Sequence, residues 1–301
     1  MTESQRVEKL EPPHGKVSII VDTDAACEVD DQFAIAYAVR AAEAGELVLE
    51  GLHASLSSGE DTAEKLERNY QEILTVLDHL HSPEYKAKTF RGCPQKLTEA
   101  PAAMSDAVKN LIEVANDEAR EGPLYVVAIG GGTNIATAMM LAPEIKEKIV
   151  LVWLAGNSLH WNSTMEWNLH MDTAASEYIF NSGVPMVLMP AWNVIVEMRT
   201  TIFELEHYLK DKNDICDYLL KIVHDFHDKH KIEGVVWSKT IGDIAGIAYV
   251  LHPGSFETRL VTTPVFGYYW GSNPQRPLMR ICDSVKRDPV FMDLFSKISK
   301  N

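Results

Sequence analysis

No apolar run in this 301-residue chain approaches the ~20 residues of a membrane-spanning helix, which argues against a membrane partner. The chain also lacks repeats, low-complexity tracts and any Pro/Gly/Ser-rich linker. Its four cysteines (Cys27, Cys93, Cys216, Cys282) form no CxxC or zinc-like spacing, so reduced thiols in a cytoplasmic protein are expected. Positive charge is scarce: Lys+Arg 28 against Asp+Glu 43 leaves a net charge of −15. That field repels phosphate backbones and anionic lipid, which argues against nucleic acid and membrane surfaces as partners and for a neutral or cationic small molecule. Residues 1–16 are polar and contain Pro12-Pro13, a pattern of neither a signal peptide nor a helix. Residues 1–15 are therefore expected to be a flexible leader to one domain over 16–301.

Apolar runs of strand length alternate with longer amphipathic segments. Strands are expected at 16–22, 47–55, 124–129, 148–154 and 184–189. Helices are expected at 31–44, 61–81, 134–141 and 173–181. The strand runs are continuous rather than alternating, which means burial on both faces and a mostly parallel sheet. The βαβ alternation makes the fold class α/β, a doubly wound (Rossmann-like) sheet with helices on both faces. Ligands in such sheets sit outside the carboxyl ends of the strands, and the polar clusters of this chain fall at those ends.

The densest cluster follows the first strand, where Asp22, Asp24, Glu28, Asp30 and Asp31 crowd into ten residues. Crowded carboxylates repel one another unless a cation neutralises them, and oxygen-only ligands favour Ca²⁺ or Mg²⁺ over zinc. A solvated acidic turn with Asp30 or Asp31 as a helix N-cap is the simpler alternative. Asp30-Asp31 also opens the helix Gln-Phe-Ala-Ile-Ala-Tyr-Ala, whose N-terminal dipole favours carboxylates and substrate oxygens.

Strand, Asp22-Thr-Asp24, spacer, Asp30-Asp31, helix resembles the N-terminal signature of the nucleoside hydrolase family, the inosine–uridine-preferring N-ribohydrolases. Four further segments resemble that family in order. Ala128-Ile-Gly-Gly-Gly-Thr-Asn-Ile-Ala136 looks like its Gly-Pro-Leu-Thr-Asn-Leu-Ala turn. Leu154-Ala-Gly-Asn157 stands where it has Met-Gly-Gly, and Glu166-Trp-Asn168 resembles its Glu-Phe-Asn, with Asp172 following. Gly242-Asp243 resembles its late aspartate at a helix start. The resemblance implies a calcium-dependent nucleosidase, with Asp24, Asp31, Asp243 and the Thr133 carbonyl on the ion and Asp24 taking a proton from the attacking water. It further implies Asp30, Glu166 and Asn168 on the ribose, joined by Asn162 and Asn193, with Asp22 behind the ligands. A nucleoside or riboside is the implied partner, and a homodimer or homotetramer the implied assembly.

The pattern is broken in two places. The spacer Ala25–Val29 has five residues where the family usually has three with Pro-Gly, and Gly242 stands where many members place a histidine that protonates the leaving base. Trp161, Trp167, Trp192 and Trp237 are candidates for stacking a base. His227, with His224 and His230 on one helix face, is a candidate to bring an acid to it. Base preference would be set by residues 57–61 and 226–237, which match the family least. Two other readings fit parts of the pattern. Strand-Asp-Thr-Asp resembles the nucleophile motif of haloacid-dehalogenase phosphatases, and a missing acid suits a nucleoside-binding protein without catalysis.

Overall fold

The computed structural model describes residues 1–57, 62–98, 100–192 and 194–300. Asn193, and residues 58–61 of the expected specificity loop, lie outside the described residues. In chain order the helices are α1 Glu3–Leu10, α2 Asp31–Glu43, α3 Thr62–His79, α4 Asp106–Asn116, α5 Thr133–Leu141, α6 Trp167–Met171, α7 Thr173–Ser182, α8 Ile202–Leu209, α9 Asp214–His230, α10 Ile244–Leu251 and α11 Arg287–Ile298. The strands are β1 Val17–Thr23, β2 Leu47–Ala54, β3 Thr89–Arg91, β4 Leu124–Ala128, β5 Ile149–Leu154, β6 Met186–Met189, β7 Arg199–Thr200, β8 Lys239–Thr240, β9 Phe256–Thr262 and β10 Leu278–Val285.

Eight strands form one sheet in the order β3-β2-β1-β4-β5-β6-β10-β9, parallel throughout except that β9 runs antiparallel to β10 at the edge. Its central strands are buried along their length, as their continuous apolar runs require. Side chains alternate between two apolar clusters: Ile19, Val21, Val127 and Val152 join one, while Ile20, Val126, Leu151 and Trp153 join the other. That is the signature of a sheet covered by helices on both faces. β9 escaped sequence reading because it is only partly buried and has no continuous apolar run. Strand order reverses direction between β1 and β4, so a crevice opens where Asp22 pairs beside Ala128.

The N-terminal segment departs from expectation, because it folds into α1. Thr2 Oγ1 accepts from Gln5 N at 3.3 Å while Thr2 N donates to Gln5 Oε1 at 2.8 Å, a reciprocal capping box. Pro12-Pro13 follows the helix rather than interrupting it. Leu10 is fully buried, and Arg6 donates to the carbonyl of Gly183 at the end of α7.

Candidate active site

The β1–α2 loop carries the acids into the crevice, and its five-residue spacer is pinned at several points. Cys27 N donates to Asp24 O at 2.8 Å, Gln32 Nε2 to Ala25 O at 2.7 Å and Ala26 N to Asn69 Oδ1 at 3.1 Å. Asp30 and Asp243 occupy the N-cap positions of α2 and α10, yet neither side chain caps its helix. Their carboxylates turn inward instead. One oxygen from each of Asp30, Asp31 and Asp243 lies within 4.8 Å of the others. Asp24 is buried and lines the same cleft.

Burial dominates the electrostatics of this cluster. It pushes the Asp31 carboxyl up to about 7, reinforced by the charge of Asp30 and opposed by a hydrogen bond from Thr23. Asp24 and Asp243 are held well above the ordinary carboxylate range by burial and then by their acidic neighbours. Asp30 is also raised by burial, although Lys239 opposes the shift. The Lys239 ammonium pairs with Glu28 and lies 3.7 Å from Asp30 Oδ1. Gly242 N donates to the other Asp30 oxygen, Oδ2, at 3.0 Å. The late segment therefore grips Asp30 from both sides. A buried, oxygen-only set of this kind, with mutual repulsion unrelieved by one lysine, fits a hard divalent cation.

Behind the cluster, Asp22 Oδ2 accepts from Asn134 Nδ2 at 2.8 Å, and burial raises its carboxyl to about 7. The β4–α5 turn packs directly on Asp24. A Cβ at Gly130 would meet Asp24 Oδ1 at 2.8 Å, so the turn needs glycine there. Thr133 begins α5, and its hydroxyl donates to Asp172 Oδ2 at 2.7 Å. Asp172 itself caps α7 and accepts from Leu97 N, which makes it a strut rather than a cleft residue.

The cleft has a volume of about 160 Å³ and is lined by Asp24, Cys27, Glu28, Asp30, Asp31, Ile129, Leu154, Glu166, Trp167, Asn168, Ile195 and Asp243. Glu166 and Asn168 line the same cleft as the acids. Glu166 accepts from Asn168 N, Leu169 N and Gly156 N, which starts the short α6 in what reads from sequence as a loop. Both amide hydrogens of Asn168 go to backbone carbonyls, Ile129 O at 3.0 Å and Leu154 O at 2.9 Å. Its Oδ1 is the atom left for a ligand.

Of the weaker candidates Trp167 lines the cleft, while Asn162, Trp161, Trp192, Trp237 and His227 are not among its lining residues. Asn162 is exposed, and Trp161 stacks on Trp192 with ring centroids 5.1 Å apart. His227 packs edge-on against Trp237 at 4.9 Å, while His224 pairs with Glu206 and His230 bonds the Phe226 carbonyl. Ile195 and Lys239 went unrecognised in the sequence. Ile195 is brought in by the β7–β8 ribbon, in which Arg199 pairs with Thr240, and no local motif announces it.

The sequence profile described as "Inosine-uridine preferring nucleoside hydrolase" matches residues 19–291. The chain belongs to this family. It is a hydrolase acting on N-glycosyl compounds. The chain is 26% identical over 267 residues to a pyrimidine-specific ribonucleoside hydrolase of Salmonella paratyphi A, covering 80% of this chain and 81% of that one. Among solved structures it resembles a plant nucleoside hydrolase with TM-score 0.75 and 18% identity, covering 96% of this chain and 100% of that one. It also resembles a purine-preferring ribonucleoside hydrolase from Gardnerella vaginalis, with TM-score 0.72 and 20% identity over 94% and 98% of the two chains. The phosphatase reading gives way to this membership. No helix among the described residues is long and apolar enough to cross a membrane.

Proposed function

We propose that this nucleoside hydrolase cleaves ribosides with calcium held by Asp24, Asp31, Asp243 and the Thr133 carbonyl. The observation that carries the reading is the inward turn of Asp30 and Asp243. Both stand at helix N-caps, and both forgo capping to bring their oxygens beside Asp31. A bound divalent cation supplies charge neutralisation and lowers the pKa of water in the cleft.

Asp24, buried and lining the cleft, would accept the proton of the attacking water. Asp30, held on both oxygens by Gly242 and Lys239, would present a rigid acceptor for ribose hydroxyls, with Glu166 and the Asn168 oxygen lining the same cleft. Rigid placement of a diol among these groups lowers the entropic cost of reaching the transition state. Asp22 supports the ligands through Asn134. A dimer or tetramer is the assembly we infer from the resemblance, and light scattering of the purified protein tests it. The relatives named above prefer pyrimidines in one case and purines in another, so they set no base preference for this chain.

The test is ribose release from a nucleoside panel by the wild type and Asp24→Ala. We expect the variant to fold and to lose activity by at least about 10²-fold, the lower range for removing a proton-transfer group. Retained turnover would sink the assignment. Tight ribose binding by the wild type without release would restore the binding-only reading.

A further inference from the structure

The cleft around the acids has a volume of about 160 Å³, below the roughly 300–1,000 Å³ of sites that enclose a whole small ligand. It suits an ion and a sugar, and the rest of a substrate must leave it. Two hollows adjoin it. One, of about 480 Å³, shares Cys27 and Trp167 with the cleft and is otherwise lined by Ala26, Ser57, Lys65, Arg68 and Asn69. The other, of about 260 Å³, shares Glu166 and Trp167 and adds Met165, His170 and Met171. Trp167, 60% exposed, stands where all three meet. Two substituents likewise leave a ribose that is gripped by its 2′ and 3′ hydroxyls: the base at C1′ and whatever O5′ carries. The smaller hollow is lined by thioethers, an indole and an imidazole, surfaces suited to a flat base.

The larger hollow is lined by donors. Lys65 and Arg68 stand three residues apart on α3, hence on one face of it. Among the described lining residues they are the only charged groups, in a chain whose net charge is −15. Of the acids beside Arg68 on that helix, Glu67 is held by Arg91 through hydrogen bonds of 2.7 and 2.9 Å, and Glu72 accepts from Gln32 and Tyr218. Ser57 is buried and accepts from Asn69 Nδ2 at 2.9 Å, which leaves its own O–H to donate. Asn69 also donates to Ser55 O and accepts from Ala26 N, so it fixes the wall rather than reaching for a ligand. An ammonium, a guanidinium and a hydroxyl together match a phosphate, of which the guanidinium can take two oxygens at once. Resting on the ribosyl-hydrolase reading above, we propose that this hollow is a phosphate subsite and that the preferred substrates are nucleoside 5′-monophosphates. The water oxygen bonds to C1′ while the C1′–N bond breaks and its electron pair passes to the base. The water proton passes to Asp24, and the base takes a proton from solvent. The products are ribose 5-phosphate and the free base, with the phosphoester bond untouched.

Base release from uridine and inosine, each against its 5′-monophosphate, tests this with the whole protein at one free calcium concentration. The expected result is a kcat/KM higher for each monophosphate by about tenfold or more, the order expected of one hydrogen-bonded charge. Uridine 3′-monophosphate should gain nothing, because its phosphate replaces a hydroxyl that the cleft grips. Added salt should shrink the gain, since screening weakens the attraction to Lys65 and Arg68. Lys65→Met combined with Arg68→Met should bring the ratio of monophosphate to nucleoside to about one, and Arg68→Lys should keep more of it than Arg68→Met. A gain that survives the double substitution places the phosphate elsewhere and overturns the subsite. Equal or better turnover of uridine and inosine overturns the proposal while leaving ribosyl hydrolysis standing. Release of base from none of the four overturns both.

Discussion

The backbone N–H of Gly242 donates to Asp30 Oδ2 at 3.0 Å, joining the first acidic motif to the last across most of the chain. Ile195 Cγ2 fills the space where a side chain at 242 would start. Gly242→Ala should therefore destabilise the protein by about 1–3 kcal/mol, the usual cost of overpacking. Ile195→Ala should relieve much of that penalty when the two are combined. Urea unfolding of the two singles and the double reads the coupling, and additive effects would contradict the contact.

Lys239 should matter through Asp30 rather than by touching substrate. Lys239→Met strands two carboxylates, one of them buried, and should raise KM for ribosides several-fold more than it lowers kcat. Lys239→Arg should recover most of the loss, because it restores the charge. The stability cost should stay near 1–3 kcal/mol rather than the larger values of fully buried pairs, because Glu28 is half exposed. Steady-state kinetics of the three proteins decide it; equal kcat and KM effects would not fit a positioning role.

Calcium should stabilise the fold, and chelation should reverse the effect. At a hundred times the dissociation constant, a ligand bound only by the native state adds about 2.7 kcal/mol. Protons compete for the same carboxylates, so the gain in Tm should be larger at pH 8 than at pH 5.5. Thermal melts with and without chelator measure it. Asp31→Asn combined with Asp243→Asn should abolish the calcium response.

His53 gives the stability profile an acid limb. Burial lowers its pKa to about 4, against a hydrogen bond with Asn110 that works in the opposite direction. In the unfolded chain an ordinary histidine takes its proton near pH 6.5. The unfolded state therefore binds more protons between pH 6.5 and 4, and native stability falls as pH drops through that window. Above pH 6.5 the contribution is fully present. His53→Gln should flatten this part of the curve in denaturant unfolding at successive pH values, and an unchanged slope would rule the assignment out.

Local order made much of this protein legible. The VSIIV run had to be a strand buried on both faces, and Asp30-Asp31 before an alanine-rich helix had to stand at the carboxyl end of that strand. Asp24, Asp31, Glu166, Asn168 and Asp243 were accordingly found as cleft residues from motifs alone, and the doubly wound sheet followed from the alternation of runs. The N-terminal helix was misjudged because a capping box before Pro12-Pro13 is weak until Leu10 has a core to enter. Tertiary structure alone decided what the aspartates face. Sequence cannot tell a helix-capping aspartate from one turned toward a partner 212 residues away, because the same residue type satisfies both. Nor could it show that Ile195 closes position 242, that Lys239 spends its charge on Asp30, or that the Asn168 amide is consumed by backbone carbonyls. Those facts depend on which segments meet in space, and the β7–β8 ribbon and the β1/β4 crevice fix that meeting through packing rather than through any local pattern.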